Sequence, residues 1–77
     1  MSKLQLIDAK TMEKLLQTIG FTKSRQKGSH VFYRHTDGRT TTVPFHCSKD
    51  LARPLIRAIL NEINISINEY NNLLKDL

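Results

Sequence analysis

Three histidines, His30, His35 and His46, are the side chains of this sequence best suited to moving protons near neutrality. An imidazole, with an ordinary pKa of about 6.5, has both its acid and its base form at hand there. Around His30 the chain carries Lys23, Arg25, Lys27 and Arg34, with Phe32 among them. Cations hold phosphates and an aromatic ring offers a base a surface to stack on, so this group suits a single RNA strand. RNA cleavage without a metal needs a base for the ribose 2′-OH proton and an acid for the leaving 5′ oxygen. Histidine serves both. His30 is the candidate catalytic residue, with Arg25 or Lys27 holding the phosphate and Lys23, Phe32 and Arg34 as further RNA contacts. His35, at a hairpin end, reads as surface. His46, just after Pro44-Phe45, is either a second proton-transfer group or a loop residue capping the next helix.

Other chemistries fit poorly. The histidines and Cys47 lack compact zinc spacing such as Cys-x-x-Cys, so no metal is expected. Cys47 has no orienting triad to make it a nucleophile. Ser29 and His30 are neighbours on a strand and point to opposite faces, which rules out a Ser-His dyad. No glycine-rich phosphate loop occurs. Asp8, Asp37 and Asp50 read as caps or turn residues, leaving no paired carboxylates for acid-base work and no call for a cofactor.

The elements that must position these groups follow from periodicity. Asp8 caps a first helix whose stripe is Met12, Leu15, Leu16 and Ile19, ending at Gly20. From Phe21 to Phe45 the helical period vanishes. Turn signals at Lys27-Gly28 and Thr36-Asp37-Gly38 divide three antiparallel strands, near 21–26, 29–35 and 39–44. A second helix runs from about Ala52 to Ile63, with Pro54 in its first turn and Leu55, Ile56, Ile59, Leu60 and Ile63 inward. Ser66, with Glu69 in a capping box, opens a last helix whose apolar side is Ile67, Tyr70, Leu73 or Leu74, and Leu77. The reading is one domain over residues 1–77, with a core at about 8–64 and a helix at about 66–77. Its class is α+β: an α-β-β-β-α sandwich like that of double-stranded RNA-binding domains, with one sheet face open.

Register decides which residues share that face, because a slip of one residue turns every side chain over. A three-residue loop, Thr36-Asp37-Gly38, pairs Val31 with Val43 and Tyr33 with Thr41, and so gathers Val31, Tyr33 and Val43 on a buried side. His30, Phe32 and Arg34 then face out. With Lys27-Gly28 as a tight turn, Arg25 is expected opposite His30 and Lys23 opposite Phe32. A cation beside His30 favours the neutral imidazole, the form a general base needs.

Composition is consistent with that surface. Twelve Lys and Arg stand against seven Asp and Glu, a net +5. Residues 1–57 hold eleven of the basic and four of the acidic side chains. A basic body suits a polyanion by counterion release, though it also keeps a small protein in solution. One cysteine, no signal segment and no long apolar run point to the reducing cytoplasm, with no membrane partner.

Arg25-Gln26-Lys27-Gly28-Ser29-His30, then Tyr33, Asp37-Gly38-Arg39, Val43-Pro44 and the Leu55–Leu60 helix, resemble the HicA toxins of bacterial and archaeal toxin–antitoxin pairs. The similarity runs from the first helix to about Ile65; Pro54 lies where the family usually has no proline, and the Ile65–Leu77 extension is not shared by its shortest members. The resemblance implies a metal-independent ribonuclease acting on mRNA, a catalytic His30, and a HicB-type antitoxin that covers the active site. It also gives Gly28 a role, letting the backbone turn tightly beside the histidine. Two other readings stay open on the residues alone: a non-catalytic RNA-binding module and a regulatory interaction subunit.

Overall fold

The computed structural model describes residues 3–45 and 49–77. His46 therefore lies outside the described residues. The order is α1 (Ala9–Thr18), β1 (Thr22–Lys27), β2 (His30–Arg34), β3 (Thr40–Pro44), α2 (Arg53–Glu62) and α3 (Ile67–Lys75). The strands form an antiparallel meander, β1-β2-β3, with helices over one face, an α+β sandwich of the double-stranded RNA-binding type.

Each helix starts and packs for local reasons. Asp8 accepts from the Thr11 amide at 2.9 Å, relieving one of the orphan donors of α1's first turn. Hydrogen bonding by Thr11, from its side chain first and its amide second, holds the Asp8 carboxyl below its ordinary pKa. Met12, Leu15 and Leu16 are fully buried, with Ile19 partly so. On α2, Ile56, Ile59, Leu60 and Ile63 are buried and Leu55 is half-buried, and Ala52 serves as the cap without a side-chain bond. Asp50 does not cap α2; its backbone bridges to Asp8 instead. Ser66 caps α3 through the Glu69 amide at 3.1 Å. Burial of each large apolar side chain contributes roughly 1.5–3 kcal/mol.

The core reaches beyond residues 8–64 on both sides. Leu4 and Ile7, on the segment before α1, are buried, and so is Tyr70 of α3. The two segments are stitched together: the Tyr70 hydroxyl donates to the Gln5 carbonyl at 2.5 Å and Asn71 Nδ2 to that of Lys3 at 2.9 Å. Burial first, and the Asp50 charge second, push the Tyr70 phenol up to about 12. The last helix is thus a cover for core, with Ile67, Leu73 and Leu74 packed against it. Leu77, expected on the apolar side, is exposed instead, because the helix ends at Lys75.

The second hairpin has the expected register. Val31 pairs with Val43 and Tyr33 with Thr41, and the Thr36-Asp37-Gly38 loop carries Gly38 at φ +98°. The first hairpin differs. Its two-residue loop is Gly28-Ser29, so Lys27 faces His30, Gln26 faces Val31 and Arg25 faces Phe32. Gly28 at φ +60° is followed by a residue of ordinary φ, the pattern of a type II′ turn. Beyond Arg25 a bulge at Ser24 breaks the ladder, and Lys23 then pairs with Tyr33 and Thr22 with Arg34. The extra residue is tied down by the Ser24 hydroxyl, which donates to the Phe32 carbonyl at 3.2 Å.

Candidate nucleic-acid interface

The open face of the sheet carries three rows of side chains, since residues directly opposite on neighbouring strands point the same way. The first row is Lys27, His30 and Pro44; the second is Arg25, Phe32 and Thr42; the third is Thr22, Arg34 and Thr40. Burial agrees with the rows: His30 and Arg34 are exposed and Phe32 half-buried, whereas Val31 and Tyr33 between them are buried. A shallow depression of about 360 Å³ on the second and third rows is lined by Arg25, Phe32, Arg34, Thr40 and Thr42 together with neighbouring residues.

His30, Arg25, Lys27, Phe32 and Arg34 are brought together on one face, with Gly28 in the turn beside them. Two expectations within that group are corrected. The cation directly across from His30 is Lys27, two residues from where Arg25 was placed, because the turn lies one residue further along the chain. A two-residue change of register keeps Arg25 on the same side, so it joins the second row. Lys23 does not face Phe32. The Ser24 bulge turns it to the helix-covered side, where Lys23 Nζ lies 3.6 Å from Glu13 of α1. Glu13 also accepts from the buried Tyr33 hydroxyl. Burial, reinforced by that carboxylate, drives the Tyr33 phenol above its ordinary pKa. Thr22 is exposed in the third row.

Phe32 does not offer a bare ring. The Arg25 guanidinium carbon lies over it, 4.6 Å from the ring centroid. Such a cation–π contact is worth about 0.5–1 kcal/mol at an exposed site.

His35 is structural, contrary to its reading as plain surface. Its ring meets Phe21 edge-on at 5.1 Å, its Nε2 lies 3.2 Å from the Ile19 carbonyl, and its Nδ1 accepts from the Asp37 amide at 3.1 Å. Arg39 completes the arrangement by donating from Nε to Asp37 at 2.8 Å, lying over Phe21, and bonding the Ile63 carbonyl at the end of α2. Arg39's backbone and side-chain donors hold the Asp37 carboxyl below its ordinary pKa, the backbone bond contributing most. These groups lock the second hairpin to the ends of both helices. Sequence alone marked His35 only by its position, and Gly20, whose missing Cβ leaves room for the ring, read simply as the end of the first helix.

The larger cleft among the described residues, about 750 Å³, lies elsewhere, between the N-terminal segment and α3, beside Lys3, Leu6, Arg53, Asn71 and Lys75. No histidine or carboxylate lines it, so it is ill-suited to proton transfer. Among the described residues no three His, Cys, Asp or Glu side chains gather as a metal site would require, and no helix is long and apolar enough to cross a membrane.

The family model described as the HicA toxin of bacterial toxin–antitoxin systems matches residues 9–65, from the start of α1 to just past α2. No curated protein matches the chain.

Proposed function

This chain belongs to the HicA toxin family, and from that premise we propose that it is an endoribonuclease that cleaves mRNA on the open face of its sheet. The observation that carries the proposal is His30 standing exposed in one row with Lys27, next to a row holding Arg25. In the reaction His30 removes the proton from a ribose 2′-OH. The 2′ oxygen forms a bond to the adjacent phosphorus, and the bond from phosphorus to the 5′ oxygen breaks. Lys27 holds the phosphate and stabilises charge as it builds there. The leaving oxygen takes a proton from water or from His46. The products are a 2′,3′-cyclic phosphate and a 5′-OH, and these steps require no metal.

Cleaving mRNA arrests translation, which is how a toxin of such a pair halts growth. The family implies an antitoxin partner; a HicB-type protein covering the open face, in the cytoplasm, fits this reading. Labelled RNA incubated in EDTA with wild-type and His30→Ala protein tests it. The wild type should give cyclic-phosphate ends and the variant none, with the fold unchanged. Ends carrying a 5′-phosphate would overturn the mechanism. Full cleavage by His30→Ala would overturn the assignment of His30. RNA binding with no cleavage by either protein would favour the non-catalytic module, which the basic face alone supports.

A further inference from the structure

Arg25 and Phe32 are cross-strand partners, and Arg25 is the exposed member while Phe32 is half-buried. With the guanidinium over the ring, the face of Phe32 beneath it is closed to any other planar group. Arg25 would have to leave before a base could reach it. The guanidinium is itself a flat cation on which bases stack, and it keeps its outward side. We propose that Arg25, held in place by Phe32, is the platform on which an unpaired RNA base stacks, in the subsite next to the phosphate held at His30 and Lys27. The proposal rests on the reading of the open face as an RNA site and divides its labour. Lys27 serves the phosphate, Arg25 the base, and Phe32 acts through Arg25 as a positioning residue.

Spacing supports this assignment. Phe32 is two residues along β2 from His30, a separation of roughly 7 Å at about 3.4 Å per residue. That is the scale of one step along a single strand, so a base flanking the held phosphate falls over the second row. Thr42 and Thr40 at its far side line the depression there and offer hydroxyls to the same nucleotide's sugar or phosphate. Because every base has a π-face, a guanidinium platform is indifferent to sequence, and it demands that the base be unpaired. The ligand class is therefore single-stranded RNA with little base preference at this position.

The experiment uses the His30→Ala protein, so that binding is read apart from cleavage. Affinity is measured by fluorescence anisotropy for a short labelled RNA and for a backbone of equal charge in which the bases are replaced by abasic residues. The ratio of the two affinities isolates the contribution of the bases. Stacking of one base is expected to make that ratio roughly tenfold or more. Arg25→Lys keeps the charge but not the plane, and Phe32→Leu removes the ring beneath; each should lower the ratio about tenfold. The double variant should lower it no further, because Phe32 contributes only through Arg25. Phe32→Tyr, which retains a π-face, should restore it. A ratio near one in the starting protein overturns the proposal, whether or not wild-type protein cleaves RNA. Additive losses, or a ratio untouched by Arg25→Lys, also overturn it by showing that the base reaches Phe32 directly. Failure of wild-type protein to cleave, with the ratio behaving as expected, removes the nuclease reading and leaves the stacking site standing.

Discussion

Two lysines of one strand, Lys23 and Lys27, separate the observed register from its nearest rival. Lys27 stands across from His30 on the open face; Lys23 stands across from Tyr33 and within 3.6 Å of Glu13. For single-stranded RNA each phosphate neutralised by the protein contributes about 0.7 to the slope of log affinity against log salt. Between 50 and 200 mM salt one such contact accounts for roughly a 2.6-fold loss of affinity. Lys27→Gln should therefore flatten the slope by about 0.7. Lys23→Gln should leave it nearly unchanged, since its charge is directed to Glu13 and lies across the sheet from the open face. Both residues are exposed, so neither change should move stability by more than about 0.5 kcal/mol. The assay is a salt titration of a labelled RNA oligomer in the His30→Ala background. Equal flattening by the two substitutions would refute the reasoning, because it would place Lys23 on the open face, as a ladder without the Ser24 bulge would allow.

Three further outcomes follow from the packing. Tyr70→Phe should cost about 1 kcal/mol, the worth of the hydroxyl bond to Gln5, and lower the melting temperature by about 4–8 °C; Tyr70→Ala, emptying a fully buried site, should cost about 3–5 kcal/mol. Unchanged melting curves in both would show that α3 is not part of the core. Gly20→Ala should destabilise by about 1–3 kcal/mol, because the residue sits at φ +101° and the added carbon would meet His35 Nε2 at 2.8 Å; a neutral result in chemical denaturation would contradict that geometry. Asp8 and Asp37 have carboxyl groups whose folded pKa lies below the ordinary value. Their stabilisation is present above the ordinary carboxylate range and lost as pH falls through the folded pKa. Asp8→Asn and Asp37→Asn should flatten the acid limb of a stability–pH curve while Asp8→Asn keeps its cap at neutral pH; an acid limb of wild-type steepness in the double variant would count against both.

Much of this was legible in the chain because apolar residues voted for it. The stripes Met12–Ile19 and Leu55–Ile63 located two helices, and Val31, Tyr33 and Val43 chose between two registers of the second hairpin by demanding a common buried side. The first strand, Thr22-Lys23-Ser24-Arg25-Gln26-Lys27, has no apolar residue and is exposed along its length. Such a strand specifies its register weakly. Only the turn could set it, and there Lys27-Gly28 and Gly28-Ser29 compete. Glycine-serine is itself a signal for a II′ hairpin with glycine first, the one clue that favoured the observed pairing. The bulge left no mark on the pattern at all, because Ser24 is polar on either side of the sheet. The buried N-terminal residues Leu4 and Ile7 were likewise missed, since two positions three apart are too few to establish a period, and the apolar Leu6 between them is exposed.

The same polarity that hides the register of β1 also makes the strand usable as a binding surface. Alternation along β2 and β3 gives stability to Val31, Tyr33, Thr41 and Val43, and leaves His30, Phe32, Arg34, Thr40 and Thr42 to face outward. Residues of the second set can change without emptying the core. β1 contributes little burial to either side, so it is held by its ladder to β2 and by polar ties such as Ser24 to the Phe32 carbonyl and Thr22 to that of Arg34 at 3.4 Å. The bulge then distributes three cations: Lys27 and Arg25 go to the open face, and Lys23 goes to the helix side, where Glu13 and the buried Tyr33 meet it. A slip that removed the bulge would carry Lys23 away from Glu13 and set it across from Arg34, crowding two cations in one row of the open face. The pairing of Lys23 with Glu13 therefore disfavours that slip, by the small amount that an exposed ion pair contributes.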